Sequence, residues 1–544
     1  MSKKRKGKSP PIKNSGYSTG GASPTKKTLK TYLPQHYSAK EDIDRNLKTL
    51  RDRAHDLVIN SPVGAAAVNT QATNVISSGL KVFPRIKYNV LGVTPEFARE
   101  WSRKTKQEFE LWANSALGCD YLRRNNFAEL QHIAFASYLV DGDSFCLFRR
   151  REPTPDNPYS LRLQLIDAQR VSNPVTSGGA MSYSNVEMKR LNSNNRIVNG
   201  IEVDKDGAVV AIWVSNRIWD EPTTIMPELT WRRVRWYGWR TGCRNVLHIC
   251  HDTRPDQFRG VPLLAPVIET LKQISRYGDA ELSSAIVKSF FSVFFVQPSQ
   301  GNYTLNEMLG EDDEDEWEIS PDGKKRRKAC VDVDEYRLGV ATIGALPRGV
   351  DVKAIDANNA QSTFEPFMGA FLKQVGAAVN IPYEVLMKNF TASYSASRAA
   401  LLQAADEFRQ RKAWFIQDFC APVYEQFLAE AVALGRIDAP GFFDDPVKRA
   451  AWSTADWRNE TSHFLDPVKE TQAMILRLNA GLSTYAQEIS EATGQDFNDV
   501  METLAQERAL VNQLPPTSEQ ALMLQTAAQA ENTDERSEDD GQEV

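Results

Sequence analysis

Between Pro262 and Phe291 the residues Leu264, Val267, Ile268, Leu271, Ile274, Leu282 and Ile286 keep helical spacing through 30 positions. At ~1.5 Å per residue an unbroken helix would reach roughly 45 Å, longer than an ordinary globular helix. Gly278 marks a kink or a close-packing point within it. A second apolar helix is predicted from Thr363 to Val379, through Phe364, Phe367, Met368, Phe371, Leu372, Val375 and Ala378. Asn380-Ile381-Pro382 is its natural stop, because proline disfavours helix in the residue before it. Residues 292–359 form a small unit between the two, with strands expected at Ser292–Val296, Val340–Ile343 and Val350–Ile355. A short polar segment, 383–397, leads into a third long helix from about Ser395 to Leu434, and helices dominate residues 466–530.

Upstream the hydrophobic period changes. Ser38 to Gly79, Pro95 to Ala113 and Phe127 to Val140 read as helical. Ser144–Arg149, Leu161–Ile166, Val198–Glu202, Ala208–Val214 and Val246–Cys250 read as strands. Turn signals at Asp141-Gly142-Asp143, Asn173-Pro174, Gly178-Gly179 and Asp206-Gly207 bound them, and Arg259-Gly260 closes the module. The first half is therefore an α+β module with an antiparallel sheet.

A chain of 544 residues, 41% hydrophobic, is long enough for two to four structural modules. Its six cysteines are scattered with no CxxC pair and read as reduced thiols of a cytosolic protein. No run approaches eighteen apolar residues and the N-terminus has no apolar core, so neither a membrane span nor a secretory signal is expected. A net charge of −5 is not the footprint of a protein that clamps DNA by neutralising phosphates. The ends are biased in opposite directions. Residues 1–30 carry nine lysines or arginines and no acid, and read as a disordered basic arm. Residues 531–544 read as an acidic disordered tail, and solubility alone accounts for either end.

Several clusters carry charge or chemistry. Glu311, Asp312, Asp313, Glu314, Asp315, Glu316 and Glu318 precede Lys324, Lys325, Arg326, Arg327 and Lys328. Consecutive acids point in different directions and no histidine is near, which favours a solvated charged loop over a metal site. Trp231 to Arg240 interleaves cations with aromatics: a twisted hairpin with cation–π packing is favoured over a surface that stacks single-stranded bases. His248 and His251 could share a helix face and bind zinc, but on the predicted strand they face opposite sides and read as structural. No GxxxxGK[ST] phosphate loop and no local Ser-His-Asp or Cys-His arrangement is present. We therefore expect no catalytic residue, no metal and no cofactor.

The order of elements, and five segments within it, resemble the portal proteins of lambda-like tailed phages. The segments are QATNVISSG (Gln71–Gly79), DGDSFCLF (Asp141–Phe148), LRLQLIDAQRVSNP (Leu161–Pro174), Arg259–Ile268 followed by LSSAIVK (Leu282–Lys288), and AAVNIPYEVLMKNFTASYSASR (Ala377–Arg398). The resemblance extends over roughly Arg45 to Leu510. It implies a dodecameric ring with a wing from 31–260 and 398–465, stem helices at 261–291 and 360–382, a clip at 292–359, a tunnel loop at 383–397 and a helical crown at 466–530. It further implies that double-stranded DNA passes through the ring, driven inward by a terminase motor. The terminase large subunit, major capsid and scaffold proteins and head–tail connector proteins are the implied partners, with no membrane. The implied setting is the portal vertex of the virion, after assembly in the host cytoplasm.

On that resemblance Lys388, Asn389, Phe390, Thr391, Ser393 and Tyr394 would contact the duplex, and Lys373, Glu269 and Lys272 would line the channel. The charged blocks Glu311–Glu316 and Lys324–Arg327 would steer docking partners. Residues 388–394 also suit an ordinary helix connection with an N-cap at Ser393 or Ser395. Two rival classes remain: a metal-dependent enzyme, and a non-enzymatic nucleic-acid-binding scaffold using the basic arm.

Overall fold

The structure is a computed structural model that describes residues 21–155, 157–174, 194–218, 229–290, 358–390, 394–459, 467–493 and 497–511. Tyr17 and the short strands 294–296, 317–319, 325–327 and 351–353 are also described. It is a mixed helix and sheet protein. The N-terminal helical stretch is three helices: α1 (Ala39–Asp44), α2 (Leu47–Asn60) and α3 (Pro62–Val75). One continuous reading of Ser38 to Gly79 misses the break at Ser61-Pro62. Ser61 is extended and caps the Gly64 amide, and Pro62 starts the next helix, where its missing N–H costs nothing.

Strand β1 (Lys81–Pro84) is followed by α4 (Pro95–Ala113) and α5 (Phe127–Asp141), both near their expected bounds. Thr94 caps α4, and a reciprocal capping box between Asn126 and Glu129 starts α5. Two antiparallel sheets follow. β2 (Asp143–Arg150) lies between β3 (Leu161–Ile166) and β8 (Val246–Cys250). The second sheet runs β4 (Arg196–Val198), β5 (Ile201–Val203), β6 (Val209–Ser215), β7 (Trp231–Arg235). The single strand expected at Val198–Glu202 is instead a hairpin. Asn199 and Gly200 take φ of 43° and 83°, the left-handed pair of a two-residue turn. The facing sides of the two sheets share a core of Phe145, Ile166, Val198, Ile201, Ile212 and Val246.

The first long helix, α6 (Ile268–Phe290), begins six residues later than expected, behind a 3-10 turn at Ala265–Val267. Pro266 has no N–H to return to Pro262, so an α-helix cannot run through the two prolines. At ~1.5 Å per residue its 23 residues span about 35 Å. A Cβ on Gly278 would meet nothing within 4 Å, so Gly278 is not a close-packing point among the described residues, and the helix continues through it. In the unit that follows, β9 (Phe294–Val296) pairs antiparallel with β12 (Asp351–Lys353), and β10 (Trp317–Ile319) with β11 (Lys325–Arg327). Val340–Ile343, the other strand expected in this unit, lies outside the described residues.

The second long helix is α7 (Asn358–Ala378) and ends as expected: Asn380 turns left-handed at φ 56°, and the Ile381 amide returns to the Gly376 carbonyl. A short helix α8 (Tyr383–Met387) precedes α9 (Tyr394–Phe415). The third long helix is interrupted: a π turn at Ile416–Cys420 separates α9 from α10 (Ala421–Ala433). Pro422 cannot donate to the carbonyl four residues back, and the widened turn just before it accommodates the lost bond. After α11 (Pro446–Trp452), strand β13 (Ala455–Arg458) pairs antiparallel with β1, Lys81 opposite Arg458, which returns this C-terminal part to the N-terminal one. One large core seals them. Phe109 meets Phe127, Tyr424, Phe427 and Trp457 edge to face within 5.1–6.0 Å. Helices α12 (Pro467–Asn479), α13 (Tyr485–Thr493) and α14 (Phe497–Val511) complete the described chain. The stretch expected to be helical beyond them, to residue 530, and the acidic tail lie outside the described residues, as does most of the basic arm.

Candidate functional site

The two long helices rise from the main core. Leu271 and Ile274 of the first, with Leu264 and Val267 of the turn before it, and Leu372 and Val375 of the second, with Val379 just past its end, are buried there with Leu57, Phe135 and Phe415. Above that root the helices touch through aromatics: Tyr277 stacks on Phe364 at 5.5 Å and meets Phe367 at 4.6 Å. Farther along α6, Leu282 is 62% exposed and Ile286 47%. Apolar side chains at helical spacing are therefore buried at the root, while Leu282, farther along α6, is largely exposed.

The start of α6 is fixed by a buried ionic cluster. Asp143, the first residue of β2, is fully buried. The Arg51 Nη2 donates to its Oδ1 at 2.7 Å and the Arg259 Nε to its Oδ2 at 2.6 Å. Gly260 N–H adds a third donor at 3.2 Å, and His248 Nε2 lies 3.3 Å away. Burial alone would push this carboxyl up, but the Arg259 and Arg51 guanidiniums and His248 hold it well below the usual carboxylate range. Arg259 spends its remaining N–H groups on the Ala168, Val171 and Asn199 carbonyls, so one side chain ties both sheets to the helix that begins at Ile268. The crossing leaves no room for a side chain: a Cβ on Gly260 would sit 1.8 Å from the Gly142 carbonyl oxygen, and Gly142 has φ 87°. The sequence motifs DGD and Arg259-Gly260, taken above as a turn signal and a boundary, are the two halves of this fastening. Their joint role was missed because 116 residues separate Asp143 from Arg259.

The expected channel-lining side chains on the stems have partners within the chain. Lys272 pairs with Asp56 of α2 at 2.8 Å, and Glu269 accepts from Gln273 at 3.2 Å. Lys373 lies over the Tyr383 ring at 5.8 Å. All three are exposed. After α7 the segment 383–397 is not one loop, since Tyr383–Met387 is helical and α9 already begins at Tyr394. Val385 and Leu386 are buried, whereas Lys388, Asn389 and Phe390 are exposed, with Lys388 left-handed at φ 53°. The exposed turn therefore projects from a fixed base. Thr391 and Ser393 lie outside the described residues, and Tyr394 is described only in its backbone. Glu311, Asp312, Asp313, Glu314, Asp315, Glu316 and Lys324 also lie outside them. Lys325, Arg326 and Arg327 form β11, with Arg326 opposite Glu318 in register.

The remaining candidates have structural settings. His248 stacks on Phe145 at 4.4 Å, and His251, one residue beyond the end of β8, on Trp414 at 3.6 Å. Burial pushes the Cys119 and Cys146 thiols up to about 12, which removes the thiolate a nucleophile needs. Among the described residues no three His, Cys, Asp or Glu side chains converge as metal ligands. No described helix is long and apolar enough to cross a membrane. Trp231–Arg235 is a strand, and the turn beyond it carries Arg240 stacked 4.4 Å over Trp239, the hairpin with cation–π packing.

The family model described as "Phage portal protein, lambda family" matches residues 25–412. The chain belongs to that family. Portal protein B of Escherichia phage lambda is 23% identical over 485 residues, which cover 88% of this chain and 87% of that protein. The portal protein of Escherichia phage N15 is 23% identical over 479 residues, covering 87% and 86%. Among solved structures, "Neck of native GTA particle computed with C12 symmetry" matches at TM-score 0.39 and 12% identity, covering 82% of this chain and 92% of that one. A virion of a native gene transfer agent particle matches at 0.40 and 14%, with the same coverage. The portal family is generally one of structural rather than catalytic proteins, in keeping with the settings of the histidines and buried thiols above.

Proposed function

We propose that the chain is the subunit of a closed ring at the unique vertex of a phage capsid, a passive conduit through which double-stranded DNA is packaged and later ejected. Membership of the lambda portal family carries this reading. Its structural support is the pair of helices that share one root and carry, on α6, the exposed Leu282, which head-to-tail neighbours in a ring would bury. The wing is assigned to 31–260 and 398–465, the stems to 261–291 and 360–382, the clip to 292–359 and the crown to 466–530.

In a ring every exposed cation is repeated by symmetry, and duplex DNA carries one negative charge per ~1.7 Å of axis. Lys388, on an exposed turn braced by buried Val385 and Leu386, would form a circle of positive charge against which DNA slides. Glu269, Lys272 and Lys373 would line the stem wall, held by the intrachain contacts described above. The terminase large subunit supplies the energy of packaging, and the charged segments at 311–316 and 324–327 meet it and later the connector proteins. Capsid and scaffold proteins contact the wing. A Lys388→Cys chain carrying a short photo-crosslinker tests the placement of the gate. Attachment to DNA in filled particles supports it, and attachment no greater than from a Lys205→Cys control on the exposed turn between β5 and β6 contradicts it.

A further inference from the structure

A cavity of about 1600 Å³ opens between the body of the molecule and the C-terminal helices α12 to α14. Its wall on the body side is strongly cationic: seven arginine and lysine side chains face three carboxylates. Arg99, Arg103 and Lys106 come from α4, Arg409 and Lys412 from α9. Compensation there is partial: Arg85 and Arg458 share the single carboxylate of Asp456 at 3.3 Å, and Arg409 reaches Asp406 at 3.1 Å. Arg103 forms no ion pair among the described residues, and Arg99 reaches Glu96 only at 3.8 Å. Lys412 donates to the neutral Asn459 Oδ1 at 2.5 Å, and burial, with Arg409 nearby, lowers its affinity for a proton. A positive wall in a chain of net charge −5 calls for an anion.

One segment of the chain has the matching charge. Residues 531–544 hold seven carboxylates against the single Arg536 and lie outside the described residues. They follow α14, which itself lines the cavity through Phe497 and Glu502. The 19 residues between Val511 and Glu531 can extend to about 60 Å, so reach sets no barrier. We propose that the cationic cavity between α4, α9 and the C-terminal helices binds the acidic segment 531–544 of this chain, fastening the C-terminal helices to the body.

Zero-length carbodiimide cross-linking of the full-length protein, read by mass spectrometry, tests this. The Lys272–Asp56 pair, 2.8 Å apart, serves as the internal standard. The expected result is linkage of carboxylates from 531–544 to Lys106 or Lys412. Charge reversal at the exposed Arg99, Arg103 and Arg409 (R99E, R103E, R409E) lowers that linkage by about ten-fold while the standard is unchanged. Excess synthetic peptide of residues 531–544 competes it away. The proposal is overturned if the standard forms and the tail links are absent, or if the triple variant leaves them unaltered. It is equally overturned if a duplex oligonucleotide, and not the peptide, binds the protein in a manner abolished by the triple variant, since the cavity would then be a nucleic-acid site.

Discussion

At the root of the first long helix Asp143 is fully buried and receives donors from Arg51, Arg259 and Gly260. At the turn after the second long helix, Lys388, Asn389 and Phe390 stand exposed on a base of buried Val385 and Leu386. The two regions carry charge for different purposes. Charge removed from water is costly unless fully partnered, so a buried ionic cluster fixes one geometry and tolerates no change. Charge left in water contributes little to folding and stays available to a polyanion. The fastening therefore sets where the helices point, and in the proposed ring the turn supplies what they present.

Substitution should separate the two sharply. Asp143→Ala leaves two guanidiniums buried without their carboxylate and should cost about 3–5 kcal/mol, read as a lowered denaturation midpoint. Gly260→Ala forces a Cβ into the Gly142 carbonyl and should cost about 1–3 kcal/mol or more, with the chain crossing displaced. Lys388→Ala should change stability by no more than about 0.5 kcal/mol while weakening retention of packaged DNA; equal losses at both regions would break the comparison.

pH sharpens it further. The folded-state pKa of Asp143 lies below the unfolded carboxylate value, so its contribution is present above about pH 4 and is lost as pH falls below that. His55 shifts the other way, raised chiefly by its hydrogen bond to Asp141. Its smaller contribution is complete below about pH 6.5 and disappears as pH rises through the folded value. His55→Gln should flatten the stability profile above about pH 6.5 and leave in place the acid limb, to which Asp143, Glu108 and Glu202 contribute.

Much of this was legible from local pattern. The bounds of Pro95–Ala113 and Leu161–Ile166 follow from capping residues and period alone, and Asn380-Ile381-Pro382 stops α7 as read. Readings failed where one residue overrides a period: Pro62 divides the first helix, Pro266 delays α6, Pro422 opens a π turn, and Asn199-Gly200 folds a strand into a hairpin. The fastening was hidden for a different reason. Its partners, Arg51, Asp143, His248 and Arg259, are remote in sequence, and no periodicity links them. At the candidate channel, the turn at 388–390 could be located from its polar composition. The engagement of Lys272 by Asp56 and of Lys373 by Tyr383 depends on neighbouring elements that spacing does not reveal.

The central claim is that paired helices, rooted beside Asp143 and exposing Leu282, become the wall of a ring. Electron microscopy of the purified full-length protein tests it most directly. The account predicts closed rings with a central hole, in which Leu282 is covered by a neighbouring subunit and the 388–390 turn faces the opening. A compact monomer, or a ring with that turn on its outer rim, would contradict it.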